Sequence, residues 1–150
     1  MRTFFTILVI FIGFSLKAQT VLDFKKKSNT NAAPRTDMLN LLRAEVKKEI
    51  YQDVVFVVNH FLVSGNYAWL EAEAQPKNGG KLIFPKDYQD GAYDCCQVQS
   101  LFVKSSKGAW QIAASGAFST DMWFECIGKE YPKANPKIFT EAAYSSRCEN

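Results

Sequence analysis

The sequence of 150 residues has a single histidine, His60, and it lacks the motifs of the common catalytic and nucleotide-binding sites. It contains no glycine-rich phosphate-binding loop, no dinucleotide-binding fingerprint and no nucleophile motif of the form G-x-S-x-G. Asp87, Asp90 and Asp94 have a spacing that matches no calcium-binding loop. We therefore expect neither a cofactor nor a resident metal ion.

A strong charge of either sign is also missing. Of the 18 basic residues, Arg2 and Lys17 lie before residue 19, which leaves 16 basic residues against 15 acidic ones in the rest of the chain. A nucleic-acid-binding domain usually shows a marked excess of basic residues. The near balance of charge therefore argues against a nucleic-acid partner.

Long hydrophobic runs are absent except near the N-terminus, where residues 4–14 read FFTILVIFIGF without a charge. A short basic segment precedes this run, and Leu16 and Ala18 follow it at the positions that a signal peptidase recognises. The run is shorter than the ~20 residues that a membrane-spanning helix needs. We predict that residues 1–18 are a signal peptide, that the mature protein is periplasmic or secreted, and that it has no membrane span.

The rest of the chain has the length of one domain. Residues 19–34 are mostly polar and have no hydrophobic period, so we predict a flexible N-terminal arm there. Residues 35–150 are predicted to form a single α+β domain. It begins with a helix from Asp37 to Tyr51, capped by Thr36, because apolar residues recur there every four positions: Met38, Leu42, Val46 and Ile50.

Segments rich in β-branched and aromatic residues predict β-strands, and the tetrapeptide KLIF indicates a further short one. The second of these strands is separated from the first by a short glycine-containing turn, which predicts a hairpin. A short helix capped by Thr120 is predicted from Asp121 to Lys129. An antiparallel sheet of four or more strands with helices on one face is the simplest arrangement. The predicted long strands are residues 54–63, 67–74, 95–104 and 109–118.

Four runs of sequence resemble a small family of exported bacterial domains of unassigned function. They are RTDMLNLLR, FVVNHFLVSGNYAWLEA, WQI and TDMW, and they lie between residues 35 and 124. The resemblance implies a cystatin-like or nuclear-transport-factor-like α+β fold, in which one helix lies in the curve of an antiparallel sheet. It implies no catalytic site, and the four cysteines of this chain are not part of the family's pattern.

A long connection, residues 75–94, separates the second and third long strands and contains the turn sequence KNGGK. Connections of this length are usually functional or mobile. Tyr88 and Tyr93 are the aromatic residues of the connection that we expect to be exposed, and Tyr67 and Trp69 share one face of the preceding strand. Together they predict a surface that binds a protein, a peptide or a small molecule. The sequence therefore favours a binding or interaction module without catalytic activity.

A small enzyme with a pocket between helix and sheet is the alternative. Strand alternation places His60 on one face with Phe56 and Val58, where an imidazole can act as a general base. Glu71 and Glu73 lie together on one face of the next strand and are candidate carboxylates for acid–base work. In both cases a structural role is the commoner one for such residues.

Four cysteines behind a secretory signal imply two disulfide bonds. Cys95 and Cys96 lack the C-x-x-C spacing of zinc and redox sites. They begin the predicted strand 95–104, where alternation would direct their side chains to opposite faces, so a bridge between them is disfavoured. We favour Cys96–Cys126 with Cys95–Cys148, and the reverse pairing, Cys95–Cys126 with Cys96–Cys148, stays open.

Overall fold

The computed structural model describes residues 19–89 and 93–148, so the predicted signal peptide lies outside the described residues. Five strands form one antiparallel sheet in chain order, and the main helix packs against it. The prediction of an α+β domain with a sheet of four or more antiparallel strands is confirmed. The elements are β1 (Val21–Asp23), α1 (Ala32–Ile50), β2 (Val54–Ser64), β3 (Tyr67–Pro76), α2 (Lys86–Gln89), β4 (Gln97–Lys104), β5 (Trp110–Ala117) and α3 (Ile127–Glu130).

Helix α1 covers one face of the sheet through its apolar stripe. The four residues that recur along the predicted helix are all buried. Opposite them, β3 contributes one leucine and three alanines, and because alanine side chains are short, the larger side chains of α1 fill the space between the two layers. The contacting residues of β3 are Ala68, Leu70, Ala72 and Ala74.

A β-bulge in β2 changes which residues face the helix. The pairing with β3 shifts between Val58 and His60, so Asn59 is an extra residue. Because side chains alternate with a period of two, this insertion moves His60 to the face opposite Val58, while Phe61 joins the core under α1. The prediction that His60 shares a face with Phe56 and Val58 is therefore wrong.

The second face of the sheet is covered by the C-terminal segment, residues 119–148. Trp69 of β3 is fully buried there, and its ring centroid lies 5.8 to 6.4 Å from those of Trp123, Phe124 and Phe139. The expectation that all helices lie on one face is therefore wrong, because α3 belongs to this second layer. Hydrophobic residues of β3 face both ways, so each face of the sheet needs an apolar cover.

The structure differs from the flexible arm predicted at residues 19–34. Strand β1 pairs with the end of β2, and Phe24 is buried against Phe61. The side chains of Asn31 and Arg35 donate to backbone carbonyls of residues 24–26 at 2.8 to 3.1 Å. These bonds give hydrogen-bond partners to carbonyls of the irregular chain between β1 and α1. One polar residue of the segment, Asn31, therefore helps to fix the backbone that the sequence predicts as flexible.

Helix α1 also begins five residues earlier than predicted. Pro34 lies in its first turn, where the missing N–H costs nothing because those donors have no partner within the helix. The hydroxyl of Thr36 donates to the carbonyl of Ala32 at 2.7 Å, inside the helix, and does not cap it.

Two short predicted elements differ from the structure as well. Residues 81–84 form no strand, and the helix predicted from Asp121 to Lys129 is reduced to the four residues of α3. The Ser119 hydroxyl accepts from the N–H of Asp121 at 3.1 Å and forms a local turn. Such hydroxyl-to-backbone bonds compete with the start of a helix.

Candidate functional site

A concavity of about 550 Å³ opens where β3 ends and the chain turns away from the sheet. We term it the connection pocket, because it is lined by the end of β3 and by described residues of the connection between β3 and β4, residues 77–96. Residues 90–92 of the connection lie outside the described residues. Both ends of the described connection line the pocket, first with residues 79–82 and Phe84, then with Tyr93, Cys95 and Cys96.

Aromatic rings form the inner wall of the pocket. The ring of Phe84 is buried, and Tyr93 lies against it with centroids 4.3 Å apart. Phe118, which follows β5, meets Phe84 edge-on at 5.0 Å, and Tyr88 lies within 6.2 Å of both Tyr93 and Phe118. Tyr93 keeps 39% of its surface exposed, so its ring remains accessible from the pocket.

Two polar side chains, Gln52 and Glu49, hold the connection near the C-terminal end of α1. The Gln52 side chain accepts from the N–H of Ile83 at 3.2 Å, and its amide nitrogen donates to the carbonyl of Ile83. The Tyr88 hydroxyl donates to the Glu49 carboxylate at 2.8 Å. The pocket wall is therefore tethered at two points, despite the length of the connection and its Gly79–Gly80 turn.

Tyr88 differs from the exposed loop residue that the sequence predicts. It is half-buried, and burial is the main cause that raises the pKa of its hydroxyl to about 12. The hydrogen bond to Glu49 and the negative charge of that carboxylate raise it further. Tyr88 therefore supports the pocket from behind, and Tyr93 is the tyrosine that lines it.

The Cys95–Cys96 disulfide forms the side of the pocket next to β4. The other bridge joins Cys126 to Cys148, so both predicted cross-pairings are wrong. The prediction assumed that Cys95 and Cys96 lie on a strand, but β4 begins only at Gln97 and the two cysteines occupy a turn. Strand alternation therefore does not separate their side chains.

One charged side chain, Lys81, lines the connection pocket among the described residues. It makes no ion pair with any other residue in the described part of the chain. The preceding residues, Gly79 and Gly80, have φ of +77° and +88°, which side chains rarely tolerate. A Cβ at either glycine would meet nothing within 4 Å, so the rim of the pocket beside Lys81 is bare backbone.

Tyr67 and Trp69, the other predicted binding residues, lie away from this pocket. Trp69 has no accessible surface, and its indole N–H donates to Glu71 at 2.9 Å. Tyr67 is half-buried and packs edge-on against Tyr131 of the C-terminal segment. The C-terminal segment therefore occupies the hairpin face that the sequence predicts as a binding surface.

His60 and Glu71 are neighbours across β2 and β3, as an enzyme site would need, but both hold the C-terminal segment. The Nε2–H of His60 donates to the carbonyl of Ile138 at 2.6 Å. One oxygen of Glu71 accepts from Trp69 and from the Thr140 hydroxyl at 2.5 Å. Glu73 accepts a 3.5 Å bond from Asn59. None of these side chains lines the connection pocket.

Sequence reasoning missed Lys81, Phe84 and the adjacent cysteines as neighbours in one site. The sequence offers only a partial signal for them, the Gly79–Gly80 pair in an aromatic-containing connection. The way the connection folds back toward the sheet depends on the packing of Phe84 against Phe118. No local sequence pattern encodes that contact.

Comparison of the chain with protein-family models, with curated proteins and with solved structures finds no match. Across residues 19–89 and 93–148, no helix is long and apolar enough to cross a membrane. The same described residues contain no group of three or more His, Cys, Asp or Glu side chains placed to hold a metal ion.

Proposed function

We propose that this chain is an exported binding module without catalytic activity, and that the connection pocket holds a small-molecule ligand. The observation that carries the proposal is a concavity of about 550 Å³ whose described lining combines accessible aromatic surface with one cationic side chain, Lys81. Sites for small molecules are typically about 300–1,000 Å³, mostly apolar, with few polar groups. We also propose a cystatin-like or nuclear-transport-factor-like fold, which the packing of one helix on an antiparallel sheet supports.

The tethering of the connection supports a binding role over that of a mobile linker. Gln52 and Glu49 hold the connection through Ile83 and Tyr88, so the wall of the pocket exists before a ligand arrives. A preformed site loses less conformational entropy on binding than a loop that must first become ordered.

Export is supported by the cysteines and by the predicted signal peptide. All four cysteines are paired in disulfide bonds. Such bonds persist in oxidising compartments such as the periplasm or the extracellular space and are rare in the reducing cytosol.

The enzyme alternative has less support. Nε2 of His60 and one carboxylate oxygen of Glu71 bond to the C-terminal segment, and neither residue lines the connection pocket. A general base must reach the substrate proton directly or through one water molecule. The geometry therefore favours a structural role for both side chains.

A thermal-shift screen with a panel of small aromatic fragments tests the proposed function. A ligand that binds only the folded protein stabilises it by about 2.7 kcal/mol at 100 times its Kd, so weak binders raise the melting temperature at millimolar concentration. We expect several fragments to stabilise the wild type and to lose the effect in Tyr93→Ala. The matched control is Tyr51→Ala, because Tyr51 is 79% exposed and does not line the pocket. A panel without stabilising fragments, or equal effects in both variants, would contradict the proposal.

A further inference from the structure

The geometry points to a specific ligand class for the connection pocket: a small, flat, apolar ring that carries an anionic group. This inference rests on the proposed binding function and deepens it. It combines two features of the pocket lining: aromatic and sulfur surfaces, and Lys81, which has no ion-pair partner among the described residues.

The ring-binding part of the pocket consists of the accessible face of Tyr93 backed by Phe84. These two rings are inclined by 34°, with centroids 4.3 Å apart, and together form a continuous aromatic wall. The Cys95–Cys96 disulfide and Leu82 line the pocket beside it. Aromatic rings pack favourably on other rings, and sulfur atoms make favourable contacts with ring edges. A flat apolar ring uses both kinds of surface, whereas a flexible polar chain uses neither.

The anion-binding part is Lys81. No carboxylate lines the pocket among the described residues, so the positive charge of Lys81 has no partner there. Lys77, four residues earlier, lies in a different setting, because it lines a neighbouring concavity together with Asp53. Asp53 forms its ion pair with Lys47 at 2.9 Å and also interacts electrostatically with Lys77. Lys77 therefore has a carboxylate in its surroundings, whereas the described residues that line the pocket with Lys81 include none.

The bare rim beside Lys81 suits an anion for a second reason. Gly79 and Gly80 bring no side chain to the rim, and the space around their Cβ positions is empty within 4 Å. An anionic group that extends from the ring can therefore approach Lys81 and the backbone without a steric barrier. A larger residue at either position would also be strained, because both have positive φ.

Isothermal titration calorimetry with three naphthalene probes tests the inference on the complete mature chain. The probes share one ring system and differ in charge: 2-naphthoate is anionic, 2-naphthamide is neutral and 2-naphthylmethylammonium is cationic. We expect 2-naphthoate to bind about three- to fivefold more tightly than 2-naphthamide, as for a partly exposed ion pair, and the cation to bind most weakly. Added salt should weaken the binding of 2-naphthoate and leave that of 2-naphthamide unchanged.

Lys81→Gln is the test variant and Lys77→Gln its matched control. We expect Lys81→Gln to give 2-naphthoate the affinity of 2-naphthamide and to leave the affinity for the neutral probe unchanged. Lys77→Gln should keep the wild-type order. Both positions are exposed, so both variants should fold.

The outcomes separate this inference from the proposed function. If the three probes bind the wild type equally, the preference for an anion is overturned while the connection pocket remains a binding site. If the preference survives in Lys81→Gln, the assignment of Lys81 is overturned. If none of the three probes binds, the inference and the proposed function fail together.

Discussion

At Gly116 in β5, the absence of a side chain makes room for the ring of Trp123. A Cβ at this position would lie 2.6 Å from Cε2 of that ring, and Trp123 also donates to Gln99 at 3.3 Å. We predict that Gly116→Ala lowers the free energy of unfolding by about 1–3 kcal/mol, since a packed interface tolerates an extra methyl group poorly. Urea unfolding measures the change, with Ser115→Ala as the exposed control. A neutral effect would show that the ring of Trp123 moves freely.

Tyr88 gives a prediction for alkaline pH. The sequence has six tyrosines, and burial followed by the bond to Glu49 raises the pKa of Tyr88 to about 12. Because the folded state holds this proton more tightly than the unfolded state, its contribution to stability is fully present below about pH 10 and is lost between about pH 10 and 12. In an absorbance titration of phenolate formation, Tyr88→Phe should remove the component that titrates last. A wild-type titration without such a late component would contradict the structure.

At the scale of elements, the Cys126–Cys148 bridge fastens the C-terminal segment, which contains little regular structure. The two cysteines are 22 residues apart, and closing a loop of that size lowers the entropy of the unfolded chain by the equivalent of about 3 kcal/mol. We predict that Cys126→Ser with Cys148→Ser costs about this much stability. Cys95→Ser with Cys96→Ser, which opens no loop, should cost much less. Denaturant unfolding of both double variants measures the two stability costs, and equal costs would contradict the prediction.

Because of the bulge at Asn59, His60 faces the C-terminal segment and joins it to the sheet. We expect His60→Ala to cost about 1 kcal/mol, because the carbonyl of Ile138 loses its donor. Amide hydrogen exchange should increase in the C-terminal segment, and the affinity for 2-naphthoate should stay unchanged because His60 does not line the connection pocket. A loss of ligand affinity without a loss of stability would instead revive His60 as a site residue.

The same elements show what the sequence can predict. The stripe of Met38, Leu42, Val46 and Ile50 identifies the helix and its buried face, since a period of 3.6 residues is a local property. The position of His60 could not be predicted, because one inserted residue reverses every later side chain of β2 and the strand sequence carries no mark of it. The cysteine pairing failed for a related reason, since it depended on whether β4 begins at Cys95 or at Gln97.

For the whole molecule, the central feature is a sheet with covers of different kinds on its two faces. Helix α1 covers one face with a regular apolar stripe, and the C-terminal segment covers the other with irregular chain. The sequence predicts the α+β class but not this division. By strand alternation Trp69 lies on an amphipathic face, and only its contacts with Trp123 and Phe139 show that this face is covered. Beside these two covers, the connection that leaves the sheet after β3 forms a concave site of about 550 Å³.

The most direct test of this account is a ¹⁵N–¹H correlation spectrum of residues 19–150 titrated with 2-naphthoate. The account predicts progressive shifts of the backbone amides that surround the connection pocket, Gly79, Gly80, Lys81, Tyr93 and Cys96, with little change around His60 on the opposite face. Shifts centred on His60 and Glu71, or a spectrum that does not respond at millimolar ligand, would contradict it.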